Sequence, residues 1–283
     1  MSTVPEKIIK SVRNLPTLPT IYSTLADAML NPRTTNEDIA KLISSDQASS
    51  IKVLKVVNSP FFGLSGRIDS ISRAILHLGF NEIRNIVLSL TVINLFSKKK
   101  LINNFRPADF WKHSIGVGVS ARLIGNSMGL SNVENFFISG ILHDIGKLLF
   151  FEYESEEYEN VFNIVEQKGC SISEAEKEVF GIDHSYIGKL LAEKWKLPIS
   201  IQNAIAYHHS GMIGTKHDSL VAAVHIGNIA ARLLKLGYPG DDLVPEPNPL
   251  VWEQLKLPDK TFSSTLDILI QNYYSTTEIL LST

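Results

Sequence analysis

The amino-acid sequence predicts an all-α protein. Apolar residues recur at three- and four-residue spacing along nearly the whole chain, which is the period of helices with one buried face. The alternation of apolar and polar residues that would indicate strands is scarce. Short polar residues, prolines and glycines stand where the apolar stripes begin and end, as they do at helix termini. Together these three observations favour a helical bundle.

Five helices are predicted in the first third of the chain. Asn58–Pro60 should end the third helix, because proline disfavours the helical conformation in the residue before it. Gly79 should end the fourth, and the fifth should run from Glu82 to Phe96, where a β-branched run is long enough to favour helix over strand. The first four show these apolar stripes: Ile21, Leu25, Ala28 and Met29; Ile39, Leu42 and Ile43; Ala48, Ile51, Leu54 and Val57; Ile71, Ala74, Ile75 and Leu78.

A central helix is predicted from Trp111 to Gly125, because its small residues allow neighbouring backbones to approach closely. One apolar helix should follow from Val133 to Phe151, and the acidic segment Glu152–Glu159 should be a solvated face. Ser173 and Glu176 have the spacing of a capping box.

Asp183 should cap the next helix, which ends at Leu197–Pro198. Ile199–His209 and Ser219–Leu236 predict two more helices. A loop rich in proline and acid, Gly237–Pro249, then leads to a C-terminal amphipathic helix. Its apolar face has Phe262, Leu266, Leu269, Ile270 and Tyr273.

The composition excludes several classes of function. The 283-residue chain has a formal net charge of -2, so no basic field supports a nucleic-acid partner. The longest apolar run, around Ile86 to Phe96, is shorter than the roughly 20 residues that span a bilayer. The N-terminus lacks the pattern of a secretory signal, and a single cysteine, Cys170, fits a reducing compartment. We therefore expect a cytoplasmic protein with no membrane partner.

The histidines are the candidate chemical groups, because several of the eight stand at predicted helix ends. His143 and Asp144 are adjacent, and imidazole and carboxylate groups both bind first-row divalent metals. Neighbouring side chains on a helix diverge by about 100°, so this pair can reach one ion only if the helix ends or bends there. The nearby Gly140 and Gly146 make such a break plausible. The remaining candidate ligands are His113, His184, His208 and His209. The alternative is that each histidine is a helix cap or a hydrogen-bonded core residue.

Three stretches of the first half resemble the HDOD family, the HD-related output domains of bacterial signalling proteins. They are Leu15–Pro19, Lys41–Asp46 with Leu54–Gly63, and Ile71–Phe80, and the resemblance extends over about Ile8 to Leu236. The histidines and the His143–Asp144 pair resemble the wider HD superfamily of metal-dependent phosphohydrolases. The resemblance implies an N-terminal helical bundle packed on an HD-like helical core. We therefore expect an N-terminal subdomain over 1–105, an HD-like core over 106–240 and a C-terminal extension over 241–283.

The superfamily pattern also implies a metal site, with a distant aspartate near residue 228. This chain has Asn228 there, and a neutral amide is a poorer ligand than a carboxylate. The Gly-Tyr-Pro motif of the related HD-GYP phosphodiesterases does not follow His208 and His209, and we interpret Gly237–Pro239 as a coincidental turn. Lys147 is spaced to place an ammonium on a phosphate, or else it is a solvated lysine at a helix end. Iron, manganese, zinc and nickel suit the predicted ligands about equally.

These departures favour a regulatory signalling domain without robust catalysis, acting through a protein partner or a nucleotide ligand. The alternative is a metal-dependent phosphohydrolase that cleaves a nucleotide or cyclic dinucleotide. The segment Asn58–Gly66 is a candidate partner surface in which Phe61 and Phe62 would be anchors, unless both are core residues. Whether the C-terminal helix covers its own domain or pairs with a second copy in a homodimer stays open.

Overall fold

The structure, a computed structural model, describes residues 16–31, 33–96, 105–130, 133–255 and 261–282. These residues form helices and no β-strand, which confirms the all-α prediction. Within the same ranges, no helix is both long and apolar enough to cross a membrane. The chain divides into two compact units. We call Thr17–Ser97 with Ser264–Thr283 the first unit, and Met1–Pro16 with Lys98–Ser263 the histidine unit.

Helix ends in the first unit follow local sequence signals. Thr35 and Asp38 form a capping box at the start of one helix, and Asp46 caps the next. The predicted ends at Asn58 and Gly79 are confirmed, and Gly79 has a φ of +80° that favours glycine. The elements are α1 (Thr20–Leu30), α2 (Asn36–Ser44), α3 (Gln47–Val57), a 3-10 turn (Pro60–Phe62), α4 (Ile71–Leu78) and α5 (Phe80–Phe96).

The histidine unit is built around one central helix that packs against two others. Its elements are α6 (Pro107–Ser127), α7 (Glu134–Leu142), α8 (Ile145–Tyr153), α9 (Ser155–Lys168), α10 (Ile172–Phe180), α11 (His184–Lys194), α12 (Ile199–Tyr207), α13 (Ser219–Leu233) and α14 (Pro249–Leu255). The central helix α6 packs on α7 and α13. A Cβ at Gly140 of α7 would lie 2.4 Å from the Cα of Gly118 on α6. Small residues are therefore required at this crossing.

The last helix, α15 (Thr261–Leu281), belongs to the first unit from Ser264 onward. It returns to that unit after the chain has passed through all of the histidine unit. The predicted boundaries at 105 and 240 stay a prediction.

Two local predictions in the histidine unit are wrong. Val133–Phe151 forms two helices, α7 and α8, because the backbone of Asp144 leaves the helical conformation with φ -101° and ψ 10°. The capping box at the start of α10 pairs Ser171 with Glu174, not Ser173 with Glu176. Both pairs have the same spacing, and the backbone enters α10 two residues earlier than expected. Glu176 is thereby left inside the unit, where it is fully buried.

Candidate metal centre

Helix ends bring the predicted ligands together in the histidine unit. His143 and Asp144 occupy the break between α7 and α8, His184 begins α11, and His208 follows the last residue of α12. All four side chains are buried, and the neighbouring His209 is exposed. The break that the sequence required for His143 and Asp144 to face one point is therefore present.

Asp144 lies at the centre of this cluster. Its Oδ1 is 2.9 Å from Nε2 of His184 and 3.4 Å from Nε2 of His208. Its Oδ2 is 3.3 Å from Nε2 of His143. Three imidazoles on three different helix ends thus direct the same ring nitrogen toward one carboxylate.

The other nitrogen of each ring is held by an acceptor outside the cluster. Nδ1 of His143 lies 2.7 Å from the carbonyl oxygen of Gly140, and Nδ1 of His208 lies 2.9 Å from that of Ile205. Nδ1 of His184 lies 2.6 Å from Oε2 of Glu176. When the ring is neutral, an acceptor at Nδ1 keeps the proton there and leaves the Nε2 lone pair to face the cluster, as in most histidines that bind metals.

The donor atoms fit a divalent metal. Nε2 of His143 and Nε2 of His208 are buried and make no hydrogen bond within the described residues. A buried polar atom without a partner is costly, and a cation bound at this point would satisfy both. Nitrogen and carboxylate ligands together suit iron, manganese, zinc and nickel. His184, His208 and His209 form one set of ligand atoms lying within 4.8 Å of one another, and His113, His143 and Asp144 form a second.

His113 differs from the other predicted histidine ligands because its Nε2 faces an amide side chain. Its Nε2 lies 3.1 Å from Oδ1 of Asn228. Nε of Arg232 also donates to this oxygen, at 3.3 Å, and this second donor identifies the oxygen end of the amide. Burial, with His143 and Arg232 nearby, holds the pKa of His113 well below its usual range. His113 is therefore neutral, and its Nε2 proton is directed at Asn228.

Lys147 lies inside the cluster and not at its surface. Its side chain is fully buried, and Nζ donates to Oδ2 of Asp144 at 2.5 Å and to the carbonyl oxygen of Pro239 at 2.9 Å. The Lys147 ammonium neutralises the buried Asp144 carboxylate, which burial alone would disfavour. Although burial opposes it, His143, Lys147 and His184 hold the pKa of Asp144 well below its usual range. The phosphate-binding role of Lys147 stays a prediction.

The two partners of the His184 ring give it a charge different from that of His208. Burial would lower the pKa of His184, but the carboxylates of Glu176 and Asp144 raise it to about 9. Burial lowers the pKa of His208 to about 4. Nε2 of His184 also lies 3.0 Å from Nε2 of His209, so a proton or a cation must separate the two nitrogens. In the metal-free protein that proton belongs to His184.

Sequence reasoning missed the groups that surround these ligands. Glu176 orients His184 and also accepts a hydrogen bond from Tyr158. It shares a helical face with Ile172 and Phe180, and a carboxylate on an apolar stripe is a signal that could have identified it. Asp241 accepts from Arg232 at 2.5 Å and from the backbone of Ile172, so it balances the charge beside Asn228. No local pattern marks the role of Asp241 beside Asn228, because Ile172 is 69 residues away and the Arg232 side chain lies on the preceding helix.

His225 joins the paired histidines to the segment before α14. Its Nδ1 lies 2.8 Å from the carbonyl oxygen of His208, and its Nε2 accepts from the backbone amide of Asn248 at 3.1 Å. Both ring nitrogens are therefore satisfied by backbone groups. His225 supports the position of His208 and does not face the cluster.

The chain is similar to one curated protein, an uncharacterized protein of Treponema pallidum. The two are 25% identical over 229 residues, which is 80% of this chain and 44% of that protein. The chain thus spans less than half the length of the curated relative that it matches.

Solved structures share the fold over nearly the whole chain. An HDOD domain protein of unknown function from Geobacter sulfurreducens is 26% identical, with a TM-score of 0.79 over 98% of this chain and 99% of that one. A candidate phosphohydrolase from Shewanella amazonensis is 23% identical, with a TM-score of 0.75 over 97% and 98% of the two chains. A candidate signal transduction protein from Marinobacter aquaeolei is 19% identical, with a TM-score of 0.75 over 98% of this chain and 65% of that one. The family model of the HDOD domain matches residues 15–211, and the chain belongs to the HDOD family.

Proposed function

We propose that this chain is a regulatory signalling domain that acts by binding a protein partner or a nucleotide ligand, without robust catalysis. Membership of the HDOD family supports a signalling role, and a protein of the same fold is described as a candidate signal transduction protein. In this proposal the histidine cluster holds a metal ion that orders the helix ends of the histidine unit.

Asn228 is the observation that carries this proposal. It stands where the superfamily pattern has an aspartate, and its amide oxygen is shared by His113 and Arg232. A carboxylate at this place would add a negative charge and a strong ligand, whereas the amide adds neither. Among the residues that the structure describes, Asp144 is then the one carboxylate that faces the three Nε2 atoms, and the Lys147 ammonium already neutralises it. This charge balance favours one weakly activated metal ion over a catalytic centre.

His143, Asp144, His184 and His208 would hold the ion, and His209 would add a fifth ligand. His113 would join them only if it gave up its hydrogen bond to Asn228. The ligand types suit iron, manganese, zinc or nickel.

Metal content and turnover, measured on the same untagged full-length protein, test the proposal. We expect near-stoichiometric metal in the wild type, its loss in His143→Ala and in Asp144→Ala, and its retention in His77→Ala, whose histidine lies on α4 of the first unit. We also expect no hydrolysis of cyclic dinucleotides, cyclic mononucleotides or generic phosphoesters by the metal-loaded protein. Metal-dependent turnover that is lost in Asp144→Ala would overturn the regulatory proposal.

The alternative function is metal-dependent hydrolysis of a phosphoester. The specific observation in its favour is that three Nε2 atoms already face Asp144, with each Nδ1 anchored by an acceptor. Such preorganisation is what a catalytic metal centre needs. A divalent ion here would supply a water of lowered pKa as a nucleophile. Lys147 would serve by holding the Asp144 carboxylate in place.

This alternative makes a separate prediction about Lys147. If the site is catalytic, Lys147→Met should remove turnover while a metal assay still detects bound ion, because the ammonium is no ligand. If the site is regulatory, the same substitution should change metal affinity and thermal stability with no turnover to lose. Lys194→Met, at an exposed position on α11, is the matched control.

A further inference from the structure

An open groove of about 920 Å³ is lined by residues of the first unit, and no histidine is among them. It is lined by α3, by the segment Leu64–Asp69 and by Ile279 of α15. The segment overlaps the Asn58–Gly66 surface that the sequence suggested. Phe61 is buried there and Phe62 is half-buried, so neither is a fully exposed anchor. The groove beside them is the accessible feature.

Asn58 holds the walls of this groove in place. Its Oδ1 accepts from the backbone amide of Ile68 at 2.7 Å, and its Nδ2 donates to the carbonyl oxygen of Ile68 at 2.7 Å. The same Nδ2 donates to the carbonyl oxygen of Leu54 at 2.8 Å. One side chain thus joins the end of α3 to the opposite segment. Because the groove is already formed, its own residues need little ordering free energy when a partner binds.

The groove has an apolar stripe that runs along a helix. Ile51 and Leu54 are one helical turn apart on α3, and Ile51 is 48% exposed. Leu64 and Ile279 are half-buried and complete the apolar lining. Apolar side chains at a helical repeat, next to a groove, match the apolar face of a second helix.

The charges at the groove are positive. Lys55 and Arg67 line it, both are exposed, and neither makes an ion pair within the described residues. The one acid in the lining, Asp69, is paired with Arg73 at 3.2 Å. The whole chain carries a net charge of -2, so this positive patch is local. Complementarity therefore requires a negatively charged occupant.

We propose that this groove binds an acidic amphipathic helix of a partner protein. Its apolar face would cover Ile51, Leu54, Leu64 and Ile279, and its carboxylates would face Lys55 and Arg67. The proposal rests on the proposed regulatory function and gives it a specific surface.

Fluorescence anisotropy on the full-length protein tests the groove. The probe is a labelled helical peptide of about 18 residues, which is about five turns, with a leucine stripe flanked by glutamates. A second peptide has lysine in place of every glutamate. We expect saturable binding of the acidic peptide, roughly tenfold tighter than the basic one, and a roughly tenfold loss in Lys55→Glu, Arg67→Glu and Ile51→Glu.

Lys41→Glu and Leu76→Glu are the matched controls, because both positions are exposed on other helices of the same unit. We expect both to bind like the wild type. We also expect the double variant Lys55→Glu with Arg67→Glu to prefer the basic peptide. Equal binding of both peptides by the wild type, or no saturable binding, would overturn the proposal.

Two further readouts separate the ways in which this inference could fail. Sedimentation of the unliganded protein detects a second copy of the chain in the groove. If the wild type is a dimer and Ile51→Glu is a monomer, the proposal of a partner helix is overturned. Turnover measured on the same samples tests the proposed function by itself. Metal-dependent hydrolysis would overturn the regulatory function, whether or not the peptides bind. If neither hydrolysis nor peptide binding is detected, only the proposal about the groove is overturned.

Discussion

At the scale of single residues, the proton on His184 makes metal binding at the candidate centre depend on pH. The Glu176 and Asp144 carboxylates raise the pKa of this buried imidazole to about 9, against the effect of burial. A metal ion needs the neutral ring, so it must displace this proton on binding. Glu176 therefore orients the His184 ring and also weakens metal binding to it at neutral pH.

The first prediction is that metal affinity rises with pH. Below the pKa of His184 each pH unit should change the apparent affinity by about tenfold, so affinity should increase from about pH 7 and level off near pH 9. Glu176→Gln removes the anion that raises the pKa, so the rise should end at a lower pH. At pH 9 and above, where the proton no longer competes, the same variant should bind metal roughly 10- to 100-fold more weakly, because the ring loses its orienting carboxylate.

Competition with a chromophoric chelator at several pH values measures this profile. Glu174→Gln, at an exposed position on the same helix, should leave it unchanged. A flat profile in the wild type across that range would contradict the assignment of the proton to His184.

The second prediction concerns Asn228. Asn228→Asp places an anionic oxygen 3.1 Å from Nε2 of His113. Because a carboxylate is a better ligand than an amide, we expect metal to bind roughly tenfold more tightly. The opposing effect is Arg232, whose Nε donates to the same oxygen. Metal affinity could stay unchanged in Asn228→Asp and rise in the double variant Asn228→Asp with Arg232→Gln. That result would show that the Arg232 guanidinium pairs with the new carboxylate and keeps it from the metal.

At the scale of helices, the site depends on how closely α8 approaches α11. A Cβ at Gly146 would lie 2.0 Å from the carbonyl oxygen of His184 and 2.9 Å from the backbone nitrogen of Gly188. Both are backbone atoms, so they cannot move aside as a flexible side chain would. The absence of a side chain at Gly146 is what allows His184 to reach Asp144.

The third prediction is that Gly146→Ala separates α8 from α11. We expect a loss of about 3 kcal/mol in unfolding free energy, in the range of severe overpacking, and a large loss of bound metal. Chemical denaturation and metal analysis measure the two effects. Gly66→Ala is the control, since no atom lies within 4 Å of its Cβ position and the substitution should be nearly neutral. Wild-type metal content in Gly146→Ala would contradict the packing argument.

Helix ends with local signals were predictable from the sequence, and choices between competing signals were not. Asp183 caps α11 as expected, because a side-chain oxygen that accepts from a backbone amide two residues later is a local arrangement. Ser171–Glu174 and Ser173–Glu176 have equal spacing, and only burial of Glu176 beside His184 decides between them. A helix break at His143 and Asp144 was inferred because both side chains must reach one ion. The apolar pattern nevertheless predicted one continuous helix through the same residues.

At the scale of the whole chain, the predicted ligands all lie in the histidine unit, and the groove lies in the first unit. The sequence placed the ligands at helix ends because histidines and caps are visible locally. It did not assign α15 to a unit, because the apolar face of an amphipathic helix does not specify which surface covers it.

The fourth prediction is that metal protects the two units unequally. Binding stabilises the state that holds the ion, by about 2.7 kcal/mol when the free metal concentration is 100 times the dissociation constant. Hydrogen exchange should therefore slow in α7, α8, α11 and α12 on adding metal, with little change in α2 to α4. Equal slowing in both units, or none in α11, would contradict a site confined to the histidine unit. Asp144→Ala, exchanged with metal, is the control.

The return of α15 to the first unit also has a consequence for biosynthesis. Residues 17–97 leave the ribosome early, but Ser264 and the residues after it are translated only after the whole histidine unit. Ile279, which lines the groove, is one of them. A nascent chain therefore carries an incomplete groove until translation has passed this helix. A partner that recognises the groove would distinguish chains in which α15 has been translated and folded from chains in which it has not.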